Sequence, residues 1–342
     1  MNILIIGPSW VGDMVMSQSL YTTLKQKHPE ATIDVLAPAW CKPILERMPE
    51  VNQAIEMPIG HGAFNLAGRW ALGRELKSSN YTHAYVLPNS AKSALIPLFA
   101  GIPCRTGWKG EFRYGLLNDL RADRKIFQYM VERYVSLAYS PNDMLEQVKL
   151  ANCPRPRLNV DKQTQQLTLQ KLKLNLERPA IGLCPGAEFG PAKRWPDKYY
   201  AQIAHQVIEK GQQVWLFGGA KDREVTDAIR NALPTEHQQY CHNLAGETSL
   251  IEAVDTLAAC HTVVSNDSGL MHVSAAVGCN IVALYGSSSP KYTPPLSERV
   301  EIVHTDISCR PCFKRECPLG HLDCLNKLMP DTVMASINKF IG

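Results

Sequence analysis

The sequence predicts an α/β protein of two Rossmann-like domains, and three observations carry that prediction. Short apolar runs alternate with helix-like segments through both halves of the chain. Each half opens with a strand running into a Gly/Pro turn, "IIGPS" at 5–9 and "GLCPGA" at 182–187. A chain of 342 residues is also too long for one ordinary core and suits two domains. Alternation of this kind means parallel sheets covered by helices on both faces.

In the first half the strands are "ILII", "TIDVLA" and "HAYVL", with helices beginning near Asp13, Trp40, Arg69 and Ser90. The join is placed near 155–178, where "CPRPRLNVDKQTQQ" is proline-bearing, polar and without period, giving domains 1–165 and 166–342. In the second half "AIGLC", "QVWLF", "TVVS" and "IVALY" are strands. One helix between them puts Tyr200, Ile203, Ala204, Val207 and Ile208 on one face and stops at Gly211. Another opens with the capping box Ser249-x-x-Glu252 and buries Leu250, Ala253, Val254, Leu257 and Ala258. A third runs from Leu270 to Val277 and ends at Gly278. "PDTVMASINKFIG" reads as a closing helix, able to pack on its own domain or back on the first.

Composition narrows the function classes. A net charge of +4 does not argue for a nucleic-acid protein, although 105–125 and "CRPCFKREC" are locally basic. Such patches suit a phosphorylated substrate or an anionic membrane surface, or are simply solvated. The opening apolar run is four residues long and lacks the basic start of a signal peptide, and no stretch approaches a membrane span. With 11 cysteines and no export signal, reduced cytosolic thiols are expected. A cytoplasmic protein with peripheral membrane contact fits best.

The turn "GPSWVGDMV" is neither common phosphate loop. Gly12 is followed by Asp13 and Met14 rather than Lys-Ser/Thr, and Val15 occupies the place of a third dinucleotide-loop glycine. Asp13 has two readings: a cap or dipole partner of the first helix, or a cleft carboxylate able to take a proton. In "SNDSGLMH" (265–272), the N–H groups of Ser268 and Gly269 can meet an anion where a helix begins. His272 lies one turn on, and Asp267 can cap, orient the turn or accept from a sugar hydroxyl. "PGAEFGPAKRWP" supplies Gly186, Ala187 and Lys193, the lysine able to neutralise a departing diphosphate. "FGGAKDRE" offers Asp222 and Glu224 to ribose hydroxyls. No Asp-x-Asp pair occurs, so protein cations and N–H groups are expected in place of a metal, and no cofactor. Cys309, Cys312, Cys317 and either His321 or Cys324 approach a zinc-knuckle spacing, but without a flanking zinc-ribbon pattern the reduced-thiol loop is preferred.

"PSWVGDMVMSQSLY", "PGAEFGPAKRWP", "FGG", "NLAGETSL", "SNDSGLMHVSAAVG" and "CFKRECPLGH", in that order through both halves, closely resemble the heptosyltransferases of glycosyltransferase family 9. The resemblance implies a GT-B architecture, with the acceptor on the first domain and ADP-heptose on the second. It implies an inverting, metal-independent transfer of L-glycero-D-manno-heptose onto the first heptose of the lipopolysaccharide inner core. The alternative is a related transfer with another donor or acceptor. By motif position Asp13 matches the family's general base, Lys193 the lysine near the diphosphate, and Asp267, Ser268, Gly269 and His272 the donor turn. Trp10, Gly12, Lys109 and Arg113 are then expected on the acceptor side, with the 105–125 region docking phosphorylated lipid A-core at the inner membrane. Some members carry threonine where this chain has Ser268, and paired threonines where it reads Ala187-Glu188-Phe189. A nicotinamide dehydrogenase and a two-lobed sugar-binding protein are the rival classes, disfavoured by the missing third glycine and the missing export signal.

Overall fold

The computed structural model describes residues 1–60 and 62–341. The chain divides into two compact units, Met1–Leu158 and Asn159–Gly342. Each is built on a six-stranded sheet whose strands, among the described residues, all pair in parallel.

The strands of the first unit are β1 (Asn2–Ile6), β2 (Thr32–Ala37), β3 (Gln53–Glu56), β4 (His83–Val86), β5 (Cys104–Trp108) and β6 (Asp119–Arg121), in spatial order β3-β2-β1-β4-β5-β6. Those of the second are β7 (Ala180–Cys184), β8 (Gln213–Leu216), β9 (Cys241–Asn243), β10 (Thr262–Asn266), β11 (Asn280–Leu284) and β12 (Val300–Val303), in order β12-β11-β10-β7-β8-β9. Both orders are the doubly wound Rossmann arrangement. In each, successive strands run outward to one side and then to the other, so a crevice opens where the direction reverses. That switch point lies between β1 and β4 in the first unit and between β7 and β10 in the second.

Central strands are the ones legible as apolar runs, because both faces are covered. Ile3–Ile6 are at most 2% exposed, and every residue of β7 and β10 is buried. The outer strands lack that signature: β3 is "QAIE", β6 "DLR", β9 "CHN" and β12 "VEIV". Half-covered and short, they carry no continuous apolar run.

The segment expected to be an irregular join contains a helix, Lys162–Lys171, capped by Asp161 at the Thr164 N–H (2.8 Å). Only Gln165, Thr168 and Leu169 of it are buried, which explains the absence of visible periodicity. It packs on the helix Leu250–Leu257, where Gln165 Nε2 donates to the Asp255 carbonyl at 2.8 Å. The closing helix Pro330–Ile341 packs on the second unit's core through Val333, Met334 and Ile337, in one cluster with Trp195 and Tyr200.

The capping box on Leu250–Leu257 forms as its residues dictate. Ser249 accepts from the Glu252 N–H, and Glu252 accepts from the Ser249 N–H at 2.8 Å and from Lys171. The lysine first, and then the Ser249 donors, hold the Glu252 carboxyl below its usual range. Ser249→Ala is expected to lower stability by about 1 kcal/mol in urea unfolding monitored by circular dichroism; an unchanged midpoint would show that the lysine alone holds this turn.

Candidate functional site

In the first unit the β1 strand ends at Ile6, and the chain turns through Gly7 into the helix Val11–Lys27. A Cβ at Gly7 would lie 2.9 Å from Met14 Cε and 3.3 Å from the Leu36 carbonyl oxygen, so glycine lets the turn pack closely against both. Trp10, 46% exposed, is the N-cap residue and caps through backbone alone; Gly12 is buried in the first turn. Asp13 is therefore not the cap. It is the third helical residue, half-buried, where the helix dipole favours a negative charge. The Tyr134 hydroxyl donates to Asp13 Oδ1 at a long 3.4 Å. Burial, and then the Asp13 charge, push the Cys41 thiol up to about 12.

The basic segment 105–125 is not one solvated face. Arg105 donates to the Leu116 and Ile102 carbonyls, and buried Arg121 pairs with Asp119 at 2.9 Å. Arg113 is 1% exposed and donates from Nη1 to the Pro88 carbonyl (2.8 Å), in the loop that follows β4 at the switch point. Its Nε and Nη2 have no hydrogen-bond partner among the described residues. Burial, with Arg124 adding to it, lowers the guanidinium to about 10, so it stays charged at neutral pH. Arg113 was expected at a docking surface and is instead interior. Lys109 is exposed, 5.7 Å from the Tyr114 ring, beside Phe112, which is 78% exposed.

The second unit gathers its predicted residues at the β7/β10 switch point. Lys193 Nζ, after β7, meets Asp267 Oδ2, after β10, at 2.6 Å. The two side chains are 17% and 5% exposed. The Phe189 ring lies 5.0 Å from the same ammonium. Asp267 was expected to cap, orient or bind sugar; its carboxylate is engaged by the lysine. Ser268 is the N-cap of the helix Gly269–Ala276, contributing no side-chain cap bond, and its Oγ lies 3.2 Å from Ser265 Oγ. The first-turn N–H groups of that helix have no intrahelical acceptor and can serve an anion. His272, 5% exposed, is lowered to about 4, chiefly by burial, with Asp267 opposing and Lys193 assisting. In the free protein it is a neutral imidazole at pH 7.

Asp222 ties two loops together. It accepts from the Gly219 N–H at 3.0 Å and stands 3.8 Å from Arg194 Nη2. A Cβ on Gly186 would be 2.6 Å from Asp222 Oδ2, so glycine there admits the carboxylate. Ala187 is buried and its carbonyl faces Arg194 (3.4 Å). Glu224 is exposed in the first turn of the next helix.

Two features escape sequence reasoning. Asn266, fully buried at the end of β10, donates to the Pro185 carbonyl (2.7 Å) and accepts from the Trp195 N–H (3.2 Å) and the Tyr200 hydroxyl (3.1 Å). Ser287 and Ser288, in the loop after β11, are buried with hydroxyls that lack partners among the described residues. The Gly/Ser run "YGSSS" directly after a strand was the available signal for the serines.

Two Rossmann-like units, one with a lysine and a helix N-terminus at its switch point, have the GT-B fold, and the family to which the chain belongs makes it a glycosyltransferase. The chain belongs to glycosyltransferase family 9 (heptosyltransferase), whose model matches residues 69–323. It is 52% identical to lipopolysaccharide heptosyltransferase 2 of Escherichia coli K12, covering 100% of this chain and 99% of the relative. It is 56% identical to lipooligosaccharide heptosyltransferase 2 of Haemophilus influenzae, covering 100% of both. The solved structure of E. coli ADP-heptose LPS heptosyltransferase II is similar at a TM-score of 0.89, with 51% identity over 100% of this chain and 98% of that one.

His272 links this site to pH. Its folded value lies below the ordinary 6.5, so the unfolded chain binds the extra proton and stability falls as pH drops from about 6.5 to about 4. The loss is on the order of 3 kcal/mol. His272→Gln should flatten that part of a pH series of urea midpoints; an unchanged slope would place the titration elsewhere.

Proposed function

We propose that this enzyme transfers L-glycero-D-manno-heptose from ADP-heptose to the first heptose of the lipopolysaccharide inner core, with inversion and without a metal at the reacting centre. The observation that carries the reading is the 52% identity along the whole chain to a heptosyltransferase 2. The placement of Asp13 and Lys193 at the switch points of their units supports it.

In a single displacement the acceptor hydroxyl loses its proton as the bond to the anomeric carbon forms. The bond to ADP breaks with its electron pair, and negative charge grows on the diphosphate. Asp13 serves as the base: a half-buried carboxylate that phosphate would repel but a hydroxyl can approach. Lys193, held toward the switch point by Asp267, and the N–H groups of Ser268 and Gly269 receive the diphosphate charge. His272, uncharged, donates a hydrogen bond without adding a cation. The acceptor and its lipid lie against the first unit, where Trp10 is exposed, and Lys109 with Phe112 and Tyr114 meets the anionic membrane surface. Among the described residues no helix is long and apolar enough to cross a membrane, so any contact of this kind is peripheral.

Mass spectrometry of Kdo-lipid A acceptors bearing no heptose or one, incubated with ADP-heptose and EDTA, tests the reading. One heptosyl unit gained only on the monoheptosyl acceptor is expected; transfer to the heptose-free acceptor would assign the earlier step. Asp13→Asn is expected to cut turnover by about 10²–10⁴-fold with ADP affinity nearly unchanged. Loss of both together would make Asp13 structural.

Because Arg113 is interior, the docking test falls on Lys109. Lys109→Glu should raise the KM for the lipid acceptor and leave that for ADP-heptose unchanged. A shift in the donor's KM alone would remove Lys109 from the acceptor side.

A further inference from the structure

The transfer chemistry leaves four cysteines unused in the strap that follows β12. Cys309, Cys312, Cys317 and Cys324 are all free thiols. All four line one cavity of about 20 Å³, together with Arg310, Leu322 and His321. That is room for a single small ion.

We infer that Cys309, Cys312, Cys317 and Cys324 form a four-thiolate site for one tetrahedral transition-metal ion, zinc in the first place. The spacing C-x2-C-x4-C-x6-C sets two pairs of cysteines on one short strap, as in structural zinc sites, and all four side chains face one cavity. The backbone is bent for it: Phe313, directly after Cys312, has φ 54°, and after Cys317 the chain reverses through Gly320 (φ 72°) and Leu322 (φ 52°). Cys324 is the fourth ligand rather than His321, whose Nδ1 already accepts from the Asp323 N–H at 2.9 Å.

Among the described residues no three His, Cys, Asp or Glu groups stand already gathered for a metal, so the thiols close on the ion by side-chain rotation. On binding Zn²⁺ the four S–H protons leave to solvent and the centre carries a net −2. Arg310 lines the same cavity, fixed by the Gly286, Thr305 and Ser288 carbonyls, and offsets part of that charge. The basic character of "CRPCFKREC" thereby acquires a physical reason.

The strap is the backing of the lysine loop. The Ala192 N–H donates to the Arg315 carbonyl (3.0 Å), and the Phe313 N–H donates to the Ser287 carbonyl (2.8 Å). A Cβ on Gly190 would lie 2.5 Å from the Arg315 carbonyl oxygen. An ion that fixes the strap fixes the loop carrying Lys193; this consequence rests on the donor-site reading, whereas the metal site does not.

The full chain, purified without chelator, is expected to hold about one equivalent of zinc, or of iron, the other ion that tetrahedral thiolates select, in elemental analysis. Cys312→Ser and Cys324→Ser should lose it, and Cys104→Ser, outside the strap, should keep it. Should those variants fail to fold, Co²⁺ added to the metal-free wild type should give thiolate-to-cobalt charge-transfer absorption. No metal and no cobalt absorption overturns the site, as does metal retained by both strap variants. Removing the ion should speed hydrogen exchange at the Ala192 and Phe313 amides; unchanged exchange overturns the backing role. Bound metal in a chain that transfers no heptose would overturn the donor reading and leave the metal site standing.

Discussion

A buried carboxamide organises the second unit. Asn266 closes β10 at the switch point, and its one side chain satisfies a carbonyl, a backbone N–H and a tyrosine hydroxyl from the neighbouring chain segment. In a fully buried position each of those groups is expensive to leave unpaired. The Pro185–Trp195 loop is therefore tied at both ends to the strand beside it, and the spacing of Lys193 from Asp267 follows from that tie.

The ion pair that results has a double consequence. Lys193 and Asp267 are too buried to be left unmatched, so each enforces the other's position. The pair also sits beside the start of the helix Gly269–Ala276, whose unpaired N–H groups add a fixed positive field. Positive potential is thus built from a paired lysine and backbone dipoles, with His272 kept neutral by the same burial. The negative group, Asp13, belongs to the other unit, in the first turn of its own switch-point helix. In the proposed transfer Asp13 serves the acceptor, and the lysine with the backbone N–H groups serves the diphosphate, each from its own unit.

Burial also reassigns residues that look alike on paper. Lys109 and Arg113 stand four positions apart in one basic segment, yet one is exposed beside aromatic rings and the other holds a loop from inside. Asp222 and Glu224 were equal candidates for ribose; Asp222 bridges two loops through Gly186 and Gly219, and Glu224 remains at the surface.

The sequence by itself determined the doubly wound α/β class, the central strands β1, β7, β10 and β11, the capping box at Ser249, and the strand-end turns that lead to Asp13 and Lys193. Those features are local: covered parallel strands need continuous apolar runs, and caps and strand-end turns need particular residues at fixed spacing. Edge strands such as β6 and β9, and the mostly exposed helix Lys162–Lys171, bury too little on either face to leave a pattern. Only the tertiary structure decided that Lys193 pairs with Asp267, that Asn266 ties both ends of one loop, that Arg113 lies inside and that four strap cysteines line one cavity. Each of those facts joins groups that are distant along the chain or turns on burial, and neither a long-range contact nor a desolvation cost is written in local residue order.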